Sequence, residues 1–521
     1  MAVRHPIVMI VAMDLRGWRA SGAAFVAGAL AALAMPPLYW LPLAVVGVAA
    51  FVWLWRTAPT PRSALVRGWA WGTGHFAVGS YWILEAFFVP PADFKLLGPP
   101  LVAGLAVVLG FFPGVAAGAA RALVERWPWL DGRYRGLVLL AITWTVAEWL
   151  RGHVFTGFPW NPLGHVWAFA TPLLQGAALV GVYGLGTLTF LVLAAPVAGW
   201  RTAMVALAAV GVAGLAGEQT MTTTAPAEGS TAKGPMVRIV QPNIAQAEKW
   251  RPENGARQLA ELVELSRRPG FDKLAIVVWP ETAPAMVIGP GSPDLRVMAQ
   301  AVPPDGYLLT GAARSDGRPE DGVWNSLLVV DANGTVLDHY DKVHLVPLGE
   351  YIPFHRQLAP VSGFIGRGSY EEGHSRHTIE LPGLPAFSPV ICFEAIFPGA
   401  VTGPGERARW LLNVSNDAWF GLTSGPYQHL VSARVRAIEE GLPMVRSTNT
   451  GISAVIDAYG RVLASLGMQQ KGFIDHALPP ARPATPYSRW GDGTLLALVV
   501  LLGVMLLART SPRIPDGHNS L

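Results

Sequence analysis

Residues 218–244 read EQTMTTTAPAEGSTAKGP and then MVRIVQPNI, and the character of the chain changes between the two. Residues 218–235 form a polar linker of Thr, Ala, Gly and Pro with no apolar period. From Met236 the residues are apolar and β-branched, as in a buried or half-buried strand. Upstream the chain is a succession of hydrophobic blocks. Downstream, apolar strand patterns alternate with amphipathic helices. A chain of 521 residues calls for two or more domains, and this stretch divides them.

Upstream, the apolar blocks are residues 22–35, 42–55, 68–88, 101–120, 137–150, 173–199 and 203–215; another, 494–508, closes the chain. Only 14% of residues are charged and mean hydropathy is +0.36, a membrane-protein balance. A spanning helix needs roughly 20 apolar residues, so several blocks must extend into their aromatic flanks. Together they predict a membrane α-helical bundle of about eight transmembrane helices. Arginines alternate from one connection to the next. They precede the first block (Arg4, Arg16, Arg19) and separate the second from the third (Arg56, Arg62, Arg67). They also separate the fourth from the fifth (Arg121, Arg126, Arg133, Arg135) and follow the last (Arg509, Arg513). Arg201 lies between the sixth and seventh, while the alternate connections are nearly bare: none between the first and second, Lys95 between the third and fourth, Arg151 between the fifth and sixth. The positive-inside rule puts both termini in the cytoplasm and everything between residues 215 and 490 on the opposite face. The expected division is a bundle at 1–217, linker at 218–235, soluble domain at 236–489, and C-terminal helix and tail at 490–521. Arg4 followed by PIVMIVAM faintly resembles a signal peptide, but Asp14, Arg16 and Arg19 interrupt it. An uncleaved lead-in is expected, with Met13 an alternative start.

The net charge of +4 comes without a dense basic stripe, so nucleic-acid binding gains no support. Paired cysteines, HExxH and His/Asp clusters at ligand spacing are all missing from the sequence, so neither metal nor cofactor is expected.

Downstream, DKLAIVVWPE, GYLLTGAA, WNSLLVVDANGTVLDHYDK, FSPVICFE, ARWLLNVSN and SAVIDAYGRVL read as strands, with hairpin turns at Asp331–Gly334 and Ala458–Gly460. Residues 257–268 and 428–440 have helical apolar spacing. Three strand ends carry reactive groups: Glu281 in AIVVWPETA, Lys342 and Glu350 in LDHYDKVHLVPLGEYIP, and Cys392 in SPVICFEAIF. Cys392 is the only cysteine, and Lys342 is one of few lysines among many arginines. A thiol with a reference pKa of ~8.5 needs a base to become a nucleophile, and an ammonium can steady the oxyanion that follows. Cys, Glu and Lys are therefore a complete acyl-transfer set. A buried structural thiol accounts for Cys392 alone about as well. A Cys–His pair drawing on His344, His374, His377 or His429 also stays open. In the bundle, Glu148 and Arg151 lie three residues apart on one helical face, which favours a local ion pair over a functional site. Glu85 falls at the membrane interface, near the end of the third block.

The order of these stretches resembles the Glu–Lys–Cys triad of the nitrilase superfamily. The apolar bundle is similar to that of its membrane-embedded branch, the apolipoprotein N-acyltransferase family. The resemblance runs through TGFPWNPLGH (156–165), QPNIAQAEKW (241–250), VVWPETA, YDKVHLVPLGEYIPF, ICFE, LLNVSNDAWFG (411–421), GPYQH (425–429) and RSTNTGISAVID (446–457). It implies an α/β nitrilase-like αββα sandwich beside the bundle. Cys392 would be the nucleophile, Glu281 the general base and Lys342 the oxyanion stabiliser. Glu350 and Glu394 match supporting active-site carboxylates, while Trp250, Trp419 and Phe420 match aromatic positions where lipid gains access. Phe393 stands where many relatives carry Tyr, leaving no hydroxyl at that place. The implied partners are a phospholipid acyl donor (phosphatidylethanolamine), a diacylglyceryl-lipoprotein acceptor and the lipid bilayer of a bacterial cytoplasmic membrane. The expected state is a monomer with its catalytic domain on the periplasmic face. Two other readings share these residues: a tethered amidase passing the acyl group to water, and a lipoprotein-binding protein with a vestigial triad.

Overall fold

The computed structural model describes residues 17–89, 95–223, 234–317, 322–351 and 370–508. The lead-in with Arg4 and Arg16, linker residues 224–233 and the tail with Arg509 and Arg513 lie outside the described residues.

A helix falls on each apolar block: Trp18–Ala32, Leu41–Arg56, Pro61–Gly79, Gly98–Arg126, Arg135–His153, Ala177–Ala198, Trp200–Thr223 and Gly493–Leu507. Three of them, Gly98–Arg126, Ala177–Ala198 and Trp200–Thr222, are long and apolar enough to cross a membrane; Leu41–Arg56 and Gly493–Leu507 are apolar but shorter. The third block departs from expectation. Its helix stops at Gly79 and continues to Phe87 as a tight 3-10 turn. Trp82 of that turn packs against Trp160 and Phe420, with centroids 4.4 and 4.5 Å away. The sixth block begins with a separate short helix, Thr171–Leu174.

The strands are β1 (Met236–Gln241), β2 (Ile276–Trp279), β3 (Val287–Ile288), β4 (Tyr307–Arg314), β5 (Val323–Val330), β6 (Val336–Asp341), β7 (Tyr370–Glu371), β8 (Phe387–Ile391), β9 (Trp410–Ser415), β10 (Met444–Thr448), β11 (Ser453–Ile456), β12 (Val462–Leu466) and β13 (Gly472–Ala477). They form two mixed sheets. One runs β13-β1-β2-β4-β5-β6, with β3 beside β4 and β7 beside β5; the other runs β12-β11-β10-β9-β8. Within the first, β1, β2 and β4 are parallel neighbours, and β5 and β6 return antiparallel. In the second, β8, β9 and β10 are parallel.

The inner faces meet in one core, with Ile239, Val278, Leu309 and Val329 from the first sheet and Phe387, Leu412, Val414 and Val445 from the second. Helices Gly255–Ser266 and Asp294–Ala299 cover the outer face of the first sheet through Leu259, Leu262, Leu295 and Met298. Helix Gly425–Glu440 covers the second through Ala433 and Ala437. The result is a nitrilase-like αββα sandwich. The opposite side of Gly425–Glu440 presents Val431, Val435 and Ile438 to the core of the bundle. One helix thus serves two cores.

Candidate active site

The three triad candidates each sit just past the end of a strand, at one end of the two stacked sheets. Glu281 follows β2, Lys342 follows β6 and Cys392 follows β8, while Asn416 follows β9. Cys392 opens a 3-10 turn, Cys392–Ile396, with φ +49°, a left-handed conformation that costs a non-glycine residue about 1–3 kcal/mol. Glu394 holds this turn. Its Oε2 accepts from the Ile391 amide (2.8 Å), and its Oε1 accepts from the Tyr340 hydroxyl (2.8 Å) and the Val343 and His344 amides (2.9 and 3.1 Å). Glu394 therefore ties the Cys392 turn to the segment carrying Lys342.

Lys342 Nζ donates to Glu350 Oε1 at 2.8 Å and lies 3.3 Å from Glu281 Oε1. The Asn325 amide on β5 donates to both carboxylates, at 2.7 Å to Glu281 and 2.8 Å to Glu350. The Asn416 backbone amide donates to the other Glu281 oxygen at 2.8 Å. Burial by itself would raise the Glu281 carboxyl; Lys342, Asn325 and Lys249 outweigh it and hold the group below the usual carboxylate range. Burial would lower Lys342, but Glu350 and Glu281 leave it firmly protonated. Burial and the Glu281 charge push the Cys392 thiol up, only partly offset by Lys342. The resting arrangement is a neutral thiol beside a carboxylate that can take its proton and an ammonium that cannot lose its own.

The structure brings Glu281, Lys342, Glu350 and Cys392 together and places Glu394 behind them. The aromatic candidates divide. Phe393 joins Trp82, Trp160, Ile396 and Phe397 in one buried cluster against the bundle, and the half-buried Phe420 packs on it. Trp250 and Trp419 stand at the surface, 44% and 41% exposed. His429 does not pair with the thiol: its Nε2 donates to the Cys392 carbonyl oxygen (3.0 Å), and its Nδ1 lies 2.9 Å from Asp417. Arg446 anchors that Asp417 at 2.7 Å. Glu148 and Arg151 do form an ion pair, at 3.7 Å. Arg151 also donates to the Trp160 carbonyl (2.9 Å), fixing the 156–165 loop whose Trp160 indole donates to Gln428 at 2.7 Å.

Asn325 and Lys249 escaped the sequence reading. Asn325 lies mid-strand within WNSLLVV, where nothing local marks it. Lys249 is buried beneath the Glu281 turn and donates to the Glu281 carbonyl (3.1 Å) and the Thr282 hydroxyl (2.9 Å). Burial lowers its pKa to about 8 despite the nearby Glu281 and Cys392. Its signal was available: few lysines occur, and this one precedes Trp250 in a quoted motif.

Comparison with known proteins agrees with this architecture. The family profile described as apolipoprotein N-acyltransferase N-terminal domain matches residues 27–195, and that of carbon-nitrogen hydrolase matches 236–484. An apolipoprotein N-acyltransferase from Bradyrhizobium diazoefficiens is 39% identical over 94% of this chain and 95% of its own length. One from Caulobacter vibrioides is 40% identical over 94% of each. Among solved structures, an amidase of the nitrilase superfamily from Nesterenkonia AN1 is 18% identical, with a TM-score of 0.37 over 53% of this chain and 98% of its own. With a bundle and a carbon-nitrogen hydrolase sandwich joined in one sequence, and relatives matched over more than nine-tenths of both lengths, this chain belongs to the apolipoprotein N-acyltransferase family.

Proposed function

We propose that the protein moves a fatty acyl chain from a membrane phospholipid to the α-amino group of the diacylglyceryl-cysteine that begins an apolipoprotein. The supporting observation is the convergence of Cys392, Glu281 and Lys342 at one end of the sandwich, directly beside the aromatic face of the bundle. In the first half-reaction Glu281 takes the thiol proton as Cys392 Sγ attacks the ester carbonyl carbon. Lys342 stabilises the oxyanion. The ester C–O bond then breaks, Glu281 returns the proton to the departing lysophospholipid oxygen, and a thioester remains on Cys392. In the second, the acceptor amine attacks the thioester carbonyl and gives its proton to Glu281. The C–S bond breaks, and the thiolate regains that proton. Glu350 and Asn325 keep Lys342 and Glu281 charged and in place. Phe393, Phe420, Trp250 and Trp419 line the lipid's approach.

Eight crossings of a bacterial cytoplasmic membrane, with both termini inside, would hold the sandwich against the outer leaflet. Both lipid substrates are anchored there. The acyl chain then need leave the bilayer only slightly, which matters at about 0.8 kcal/mol per exposed CH₂. Phosphatidylethanolamine is the expected donor and a monomer the working unit.

Intact mass spectrometry after incubation with phospholipid alone tests the first half-reaction. An acyl adduct removable by hydroxylamine and missing in Cys392→Ala is expected; an adduct that survives in Cys392→Ala refutes the nucleophile. Adding lipopeptide should then yield N-acylated product, whereas free fatty acid in its place would make the protein a hydrolase.

A further inference from the structure

Cys392 leaves its sheet at a difficult point. The last ladder pair of β8, Ile391 with Val414, lies one residue before it. Its own φ of +49° is one that a β-carbon disfavours. A conformation of that kind persists only where neighbouring groups fix it. Glu394 fixes the turn from one side, through the Ile391 amide at 2.8 Å. From the other side the Cys392 carbonyl accepts from His429 Nε2 at 3.0 Å.

His429 is a fully buried side chain of helix Gly425–Glu440, and its ring is anchored all round. Nδ1 lies 2.9 Å from Asp417 Oδ1 and 3.2 Å from an Arg446 guanidinium nitrogen. Asp417 is in turn held by the Ser415 hydroxyl and by Arg446, both at 2.7 Å. The Trp160 and Phe420 rings flank the imidazole, with centroids 5.7 and 5.8 Å away. Its neighbour Gln428 ties the same turn of helix to the bundle. Gln428 accepts from the Trp160 indole at 2.7 Å and donates to the Pro36 carbonyl at 3.2 Å. Filling the core would not call for a buried ion pair behind the ring, since desolvating both charges is costly. An imidazole held this rigidly imposes its own geometry on the carbonyl it meets.

We propose that His429 is a positioning residue of the acyl-transfer site: through Nε2 it holds the Cys392 carbonyl and so aims the thiol between Glu281 and the ester it attacks. Asp417 and Arg446 orient the imidazole. Gln428 links that orientation to the bundle, so the nucleophile is aligned from the bundle side of the sandwich. Alignment of this kind acts on the rate of attack and not on lipid affinity. The role rests on the reading of Cys392 as nucleophile given above.

Two substitutions separate this role from support of the fold. Gln carries its amide nitrogen where the imidazole Nε2 stands and can still reach the Cys392 carbonyl. Asn carries its own at the place of Nδ1 and can reach only Asp417. Each variant loses one buried hydrogen bond. Thioester formation with phospholipid, followed by intact mass spectrometry of the full-length protein, should slow about tenfold at saturating lipid in His429→Asn and stay within about threefold of wild type in His429→Gln. The lipid concentration giving half the maximal rate should be the same in all three proteins. Equal slowing in both variants would reduce His429 to a support of the fold and overturn the proposal. So would slowing in neither, or a change confined to lipid affinity. Crystal structures of the two variants read the turn without chemistry. Cys392 should leave its left-handed φ in His429→Asn and keep it in His429→Gln; a turn unmoved in His429→Asn overturns the positioning role. If the turn moves as expected but wild type forms no thioester, it is the acyl-transfer reading that fails.

Discussion

At the residue scale, the candidate site uses environment to set protonation. Asn325 is its least conspicuous part, one amide shared between Glu281 and Glu350. Its hydrogen bond favours the ionised form of Glu281, so removing it lets the base hold its proton to higher pH. For Asn325→Ala the acid limb of the thioester-forming rate should move to higher pH. A loss of about tenfold is expected at mildly acidic pH, shrinking as pH rises. A rate profile measured from pH 4 to 9 checks this, and a uniform loss across it would mean the residue only supports the fold. Cys392 gives the complementary expectation. Because burial and the Glu281 charge raise the thiol, iodoacetamide should alkylate it more slowly at pH 7 than it does a free cysteine. His429 acts on the backbone and not on sulfur. In His429→Ala the buried Asp417 of the Asp417–Arg446 pair loses a hydrogen-bond partner, which should lower stability by about 1–3 kcal/mol in thermal unfolding.

At the element scale, helices in the bundle approach one another closely enough to require glycine. Helices Pro61–Gly79 and Gly98–Arg126 touch backbone to backbone, where a Cβ on Gly72 would lie 2.7 Å from Gly110 Cα. Small residues at such contacts allow the packing on which helix association depends in lipid, where no hydrophobic drive separates helix from solvent. Helix Ala177–Ala198 is broken at Gly181, whose φ of +67° no β-carbon suits, and the Tyr487 ring fills the space a side chain would need. The Val182 amide freed by the break donates to Glu439 Oε1 at 2.8 Å. Gly181→Ala should therefore destabilise the protein by about 1–3 kcal/mol or more, read as a lowered melting temperature in detergent. An unchanged melting temperature would show that the break is not needed.

At the scale of the whole molecule, helix Gly425–Glu440 belongs to two cores, and polar ties surround it. Trp160 reaches Gln428, Gln175 reaches the Tyr459 carbonyl at 2.9 Å, and Arg434 reaches the Ala168 carbonyl at 2.8 Å. A fragment limited to residues 236–489 would expose Val431, Val435 and Ile438 to water. It should aggregate or bind detergent, and size-exclusion chromatography without detergent would reveal a stable monomer if that is wrong. The same coupling makes topology a property of the entire chain. A reporter fused after residue 300 should report the periplasm, and a cytoplasmic signal would reverse the proposed orientation.

Local signals in the sequence were enough to place the apolar helices, most strands and the reactive strand ends, because burial writes periodicity and length into neighbouring residues. Glu281, Lys342, Glu350, Cys392 and Glu394 were legible for that reason and through a resemblance in their order. The two-residue β3 and β7 were not singled out, since strands of this size carry little pattern of their own, and neither were β10 (MVRST) and β13 (GFIDHA), whose apolar runs are cut short by polar residues. Sequence by itself could not tell a buried thiol from a paired one, or decide between Glu281 and His429 as its neighbour. Those questions turn on which residues from distant strands come within about 3 Å, a distance that packing of the two sheets sets. Asn325 joined the site, and His429 was assigned to the Cys392 carbonyl, only through that packing.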